Sequence, residues 1–180
     1  MTETVTEALR YPIGKLERKS VLSPEQRRAF IRTIAHAPDQ LRAAVAGLTP
    51  EQIDTPYRPE GWTVRQVVHH LADSHMNLYI RLKLALTEDT PTIKSYDEAR
   101  WAELDDSEDA PIDVSVTLFD ALQKRCVTVL EAMRPEDFAR KLNHPERGIL
   151  TIDELLSIYE WHGRHHIAHI TSLCGRMAWR

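Results

Sequence analysis

Four long stretches of this chain carry apolar residues at helical spacing, and that periodicity restricts the fold more than any other feature. In the first, Phe30, Ile31, Ile34, Leu41, Ala44 and Val45 form a stripe. In the second the stripe is Val64, Val67, Val68, Leu71, Leu78, Leu82, Ala85 and Leu86. The third carries Val116, Leu118, Phe119, Leu122, Val127, Val129, Leu130 and Met133, and the fourth Leu155, Tyr159, Ile170 and Leu173. Start signals frame them. Ser23-Pro24-Glu25-Gln26 places a capping serine before a first-turn proline, with Gln three residues after the cap. Thr49-Pro50-Glu51-Gln52 repeats the signal for a short helix that ends before Pro56, and Thr151-Ile152-Asp153-Glu154 opens the last long one. Trp62 and Thr63 start the second after a break at Pro59, Glu60 and Gly61. The predicted long helices span roughly 24–47, 62–88, 113–133 and 151–177.

The connections between them are long. Residues 89–112 hold room for a helical turn or two between Asp97 and Leu104, and residues 134–150 are broken by Pro135, Pro145 and Gly148. Residues 1–23 read as irregular, and no stretch reads as a strand. The expected fold is therefore all-α, a four-helix bundle with long inter-helix connections, in a single domain of residues 1–180.

Composition excludes several classes of function. Hydrophobic residues make up 42% of the chain and charged residues 28%, as in ordinary globular proteins. The formal charge is −4, with Lys and Arg scattered among Asp and Glu, so the charge pattern gives no support for a basic face, and no nucleic-acid partner is expected. Cys126 and Cys174 are far apart and outside any Cys-x-x-Cys motif, which fits reduced thiols. Met1 to Arg10 has no apolar core of a secretory signal, and no run approaches the ~18 apolar residues of a membrane span. The expected location is the cytoplasm.

Histidine is the unusual residue. Seven of the nine lie in two clusters, His69-His70-Leu71-Ala72-Asp73-Ser74-His75 and Trp161-His162-Gly163-Arg164-His165-His166-Ile167-Ala168-His169, both inside predicted long helices. On a wheel of about 100° per residue, His162 and His166 fall near the middle of the last helix's apolar face. Four residues apart, their Cβ atoms stack about 5–6 Å from one another, a spacing that lets two imidazoles converge on one ion. Two imidazoles in a core stripe are costly unless something satisfies them, and a metal does so. A third ligand is expected from the other cluster. There His75 sits within the apolar face, His70 at its flank and His69 towards the surface. Periodicity does not choose between His70 and His75. His165 and His169 lie on the edge of the face and fit supporting or rim roles, while His36 and His144 are isolated and expected in solvent. Three imidazoles without a thiolate describe a site with an open position, for which zinc is the default ion and nickel and iron are compatible.

Several segments together resemble one known family. These are Tyr11-Pro12-Ile13-Gly14, Thr55-Pro56-Tyr57-Arg58-Pro59, the stretch GWTVRQVVHHLADSHMN from Gly61 to Asn77, LALTEDTPTI from Leu84 to Ile93, Tyr96-Asp97-Glu98, Trp101-Ala102-Glu103-Leu104, His144-Pro145, and WHGRHHIAHI from Trp161 to Ile170. The chain resembles the DinB/YfiT-like family of metalloenzymes over nearly its whole length, and within it the YfiT branch of metal-dependent hydrolases. The resemblance implies a four-helix bundle, a homodimer, and one divalent metal per subunit held by His70, His162 and His166. It also exposes a departure. Where the family commonly has His-x-Arg-Trp in the third long helix, this chain has Gln123-Lys124-Arg125-Cys126. Gln123 and Cys126 are thus candidates for altering the pocket.

The expected activity is hydrolysis of a small-molecule substrate, with the metal acidifying a bound water. Asp73, Glu160, His165 and His169 are the candidate bases, and Asp73 equally a partner orienting a ligand histidine. Two other readings follow from the same site: transfer to a low-molecular-weight thiol such as bacillithiol, and a non-enzymatic metal or ligand sensor. Arg58, Arg65 and Arg81 read as solvated charge with a minor option of holding an anion. Trp62, Trp101 and Trp161 read as core or pocket walls.

Overall fold

The computed structural model describes residues 3–179. Four long helices dominate: α2 (Pro24–Val45), α4 (Val64–Thr87), α7 (Ile112–Ala132) and α8 (Ile152–Arg176). Local chemistry sets their starts. Ser23, Thr63 and Thr151 each accept a hydrogen bond from the backbone three residues on, and Gln26, Gln66 and Glu154 reciprocate. The short α3 (Pro50–Ile53) is capped in the same way by Thr49 and Gln52. The sequence-based spans therefore agree with the observed helices to within a few residues.

The long helices pack as a ring in which α2 contacts α7 and α8, and α4 contacts the same two. Helices consecutive in the chain, α2 and α4 or α7 and α8, thus sit diagonally. The 134–150 connection makes one of these diagonal crossings, whereas 89–112 joins α4 to its neighbour α7. The core falls into two apolar clusters. One gathers Ile34, Leu78, Leu82, Leu130, Leu155 and Tyr159, and the other Leu41, Val67, Leu71, Phe119, Ile170 and Leu173.

The connections differ from the sequence reading. Residues 3–10 form a helix, α1 (Glu3–Arg10), where an irregular segment was expected. The chain after it lies along α8: Lys19 N donates to Ser157 Oγ, and Leu22 N to Asp153 Oδ2. Asp153 in turn holds Arg27 of α2 through two bonds of 2.8 and 2.7 Å, so the strap, α2 and α8 share one buried carboxylate. Two small helices, α5 (Glu98–Trp101) and α6 (Asp105–Glu108), occupy the second connection.

The third connection contains a hairpin that the sequence pattern concealed. Strands β1 (Lys141–His144) and β2 (Gly148–Thr151) pair antiparallel. Four residues each are too few for a period-2 signal to stand out. Gly148, at φ +71°, takes the left-handed conformation that closes the turn. The hairpin also ties down the second connection, since Ile93 N donates to Asn143 O and Asn143 N to Pro91 O.

Candidate metal centre

Helices α4 and α8 bring His70, His162 and His166 together. One ring nitrogen from each lies within 4.8 Å of the others. His70 Nε2 and His162 Nε2 face one another at 3.1 Å across the two helices. The i, i+4 spacing on α8 stacks His162 and His166 edge to face, with ring centroids 4.5 Å apart. Trp62, just before the α4 cap, packs its indole on His70 at 4.7 Å and on His166 at 6.2 Å.

The residues present fit a cation. Burial, and then neighbouring imidazoles, hold all three rings below the ordinary histidine range: His70 to about 4, His162 and His166 well below. They are therefore neutral at pH 7, the form that binds metal. Nδ1 of His162 and of His166 is buried and without a hydrogen-bond partner, so the protein alone does not satisfy these rings. Nitrogens 3.1 Å apart are a separation that an ion with ligand bonds of about 2.0–2.1 Å can bridge.

The three imidazoles border a cavity of about 490 Å³, the size of a small-molecule site. A tight turn brings Tyr57, Arg58 and Trp62 to its edge. Tyr57 N donates to Trp62 O, and a Cβ at Gly61 would come 2.6 Å from Arg58 Cγ and 3.1 Å from its carbonyl, so the turn closes only with glycine there. The end of α1 supplies Arg10, the strap after it supplies Tyr11, and the hairpin supplies His144 and Arg147.

The other candidates separate. His165 and His169 line the cavity. His165 stacks on Trp161 at 4.1 Å and His169 on Tyr57 at 3.9 Å. His169 Nε2–H donates to Arg10 O at 3.1 Å, which leaves its Nδ1 unprotonated and without a partner. Asp73, Glu160, Gln123 and Cys126 are not among the lining residues. Glu160 is bound by both oxygens to Arg164 one turn on. Asp73 is half-buried near Asp106, and burial first, then that neighbour, pushes its carboxyl up to about 6. Gln123 is buried with neither amide atom hydrogen-bonded, and Cys126 lies in the apolar core, where burial pushes its thiol up to about 12. The departure from the family pattern at these two positions therefore lies off the cavity wall.

Several expectations of exposure are corrected. His69 is buried: Ala110 O accepts its Nε2–H at 3.1 Å, and Ser115 Oγ donates to its Nδ1 at 2.7 Å. His144 is buried and borders the cavity, covered by the hairpin it belongs to. Arg81, read as solvated, is 8% exposed and donates to Tyr159 Oη at 2.9 Å. Its partner lies 78 residues away, so no local pattern could reveal it. Trp101 is 39% exposed and walls neither the core nor this cavity. His36 is exposed, as expected.

The profile of the DinB superfamily matches residues 33–170. The chain belongs to this superfamily, in its YfiT-like branch. It is 52% identical over 171 residues to a Bacillus cereus protein named "Putative metal-dependent hydrolase", covering 95% of this chain and 98% of that one. A protein of the same name from Bacillus mycoides is 50% identical over the same share of both chains. The solved structure of YfiT from Bacillus subtilis, described as "a probable metal-dependent hydrolase with an unusual four-helix bundle topology", superposes with a TM-score of 0.94 at 48% identity. It covers 96% of this chain and 99% of that one. For this DinB-superfamily chain, the diagonal placement of consecutive helices accords with that description.

Proposed function

We propose that this protein is a metal-dependent hydrolase of a small-molecule substrate, with one divalent cation held by His70, His162 and His166. The observation that carries the reading is the convergence of three neutral imidazoles within 4.8 Å at the border of a substrate-sized cavity. The names of the relatives favour the same chemistry. Zinc is the ion we assign first, with nickel and iron the alternatives that an all-imidazole set admits. When bound, such a cation supplies Lewis acidity and a water acidified towards neutrality.

The chain's own residues do the rest. His169 is the proton acceptor we assign among the earlier candidates. Its Nε2–H is committed to Arg10 O, and its Nδ1 lone pair is free. Burial, then the charges of Arg58 and Arg176, hold it at about 4, so it is neutral at pH 7 and its Nδ1 carries no proton. Glu160 is committed to Arg164 and Asp73 lies off the cavity, so neither takes that role. Trp62 and the Tyr57–Gly61 turn wall the site and exclude water from one side.

Metal content per chain, in protein purified without a metal-affinity resin, tests the reading. About one equivalent is expected in the wild type and close to none in His166→Ala, together with turnover in an ester, amide and phosphoester panel that His166→Ala lacks. No metal in either protein, with an unchanged fold, would sink the proposal.

A further inference from the structure

Among the charged side chains bordering the cavity, Arg81 alone is buried. Arg10, Glu60, Glu98, Glu146 and Arg147 are exposed and Arg58 is half-buried. Arg81 Nη1 donates to Tyr159 Oη, Nη2 makes only a 3.4 Å bond to Lys94 O, and Nε is buried with no partner. Among the described residues no carboxylate forms an ion pair with it. A buried guanidinium without an anion is expensive, and Nε with Nη2 forms the edge that receives a carboxylate or phosphate at two points. Tyr159 joins this group to the three imidazoles, since its ring centroid lies 5.9 Å from that of His162.

A second donor converges there. Glu146 N–H donates to His144 Nδ1 at 3.2 Å, so the proton of the neutral ring sits on Nε2. His144 lines the same cavity as Arg81 and Arg147, and burial, then those two guanidinium charges, hold it below its usual range. Glu98 and Glu146 also border the cavity, but neither pairs with Arg81 or Arg147 among the described residues.

We propose that Arg81, with His144 Nε2–H and Arg147, forms an oxyanion subsite, and that the substrate carries a carboxylate or phosphate group that docks there while its reacting bond lies at the imidazoles. This rests on the cavity being the substrate site of the hydrolase reading; it does not rest on which metal is bound.

The test is equilibrium binding of succinate and of inorganic phosphate at constant ionic strength to the protein as purified. It is followed by ligand-shifted melting and by tryptophan fluorescence, with neutral succinamide as control. Saturable binding of at least one anion is expected, with succinamide inert. Binding should weaken at least tenfold in Arg81→Gln, severalfold in His144→Gln, and be retained in His166→Ala. The tighter probe distinguishes a carboxylate from a phosphate substrate. Should Arg81→Gln fail to fold, Arg81→Lys, which keeps the charge and loses the two-point edge, and His144→Gln carry the test. No saturable binding to the wild type, or affinities unchanged in the folded variants, would overturn the subsite. So would loss of binding in His166→Ala, which would put the anion on the imidazole side. A missing metal would defeat the hydrolase reading and leave these affinities untouched.

Discussion

His69 and His70 are neighbours in the chain and have opposite fates in the bundle. His69 turns towards the start of α7 and spends both ring nitrogens on Ser115 and Ala110. His70 turns towards α8 and meets His162 nitrogen to nitrogen. Both are buried, so burial does not distinguish a structural histidine from a candidate ligand. What distinguishes them is whether the protein itself supplies a donor and an acceptor. A fully bonded imidazole has nothing left to offer an ion, whereas rings that face only other rings leave lone pairs uncommitted.

The sharpest way to break this contrast is to remove each ring in turn. His70→Ala should weaken metal binding by more than the ~10–100-fold that losing an outer partner of a ligand costs. His69→Ala should leave metal content at the wild-type level and instead lower stability by about 1–3 kcal/mol, because Ser115 Oγ and Ala110 O lose their partner. Elemental analysis and urea unfolding on the same two proteins read both effects. Loss of metal from His69→Ala would erase the distinction.

Acid extends the comparison to a third ring. His75 is buried against Phe119 and Tyr159, and burial holds it at about 3. His69 is lowered as well, again chiefly by burial. An unfolded histidine gains a proton below about 6.5 while these folded ones do not, so the unfolded state binds more protons and stability falls with falling pH. Metal-stripped protein should therefore lose stability from about pH 6.5 downwards, by at most ~1.4 kcal/mol per pH unit for each such ring. His75→Leu should flatten the slope measured by urea unfolding across that window. An unchanged slope would mean that His75 is protonated in the fold.

Asp73 gives the smallest effect and the opposite sign. Its folded carboxyl titrates at about 6, above the ordinary value, so the folded state binds the extra proton between about pH 4 and 6. The cost of its charge appears as pH rises through that window and is complete above it. Asp73→Asn should stabilise the protein above pH 6 by on the order of 1 kcal/mol, discounted for its partial exposure, and give no gain below about pH 4. A gain that persists at pH 3.5 would assign the effect to something other than the carboxylate charge.

Much of the bundle was legible in the sequence because helix starts and stripes depend on residues three or four apart. Ser23, Thr49 and Thr151 cap their helices through bonds to Gln26, Gln52 and Glu154, and no distant contact is needed to recognise them. The pairing of His162 with His166 is local for the same reason. The helical wheel also placed His75 in the core, where it is, yet could not say that the core at His75 is closed while the flank at His70 opens on a cavity. Gln123 and Cys126 drew attention as departures from a family pattern, and the packing of α7 turns both away from the cavity wall.

The sequence by itself thus determined four capped amphipathic helices and an imidazole pair one turn apart on the last, because those features are set by neighbours along one helix. Periodicity left the histidine of α4 open between His70 and His75; the family resemblance implied His70, and the tertiary structure brings His70 beside the pair. It alone buried His69, His144 and Arg81, and laid the N-terminal strap and the hairpin over the cavity. Those outcomes depend on bonds such as His169 to Arg10 and Arg81 to Tyr159, between residues 159 and 78 positions apart. Contacts at such separations form only when diagonal helices and their long connections close around a common core.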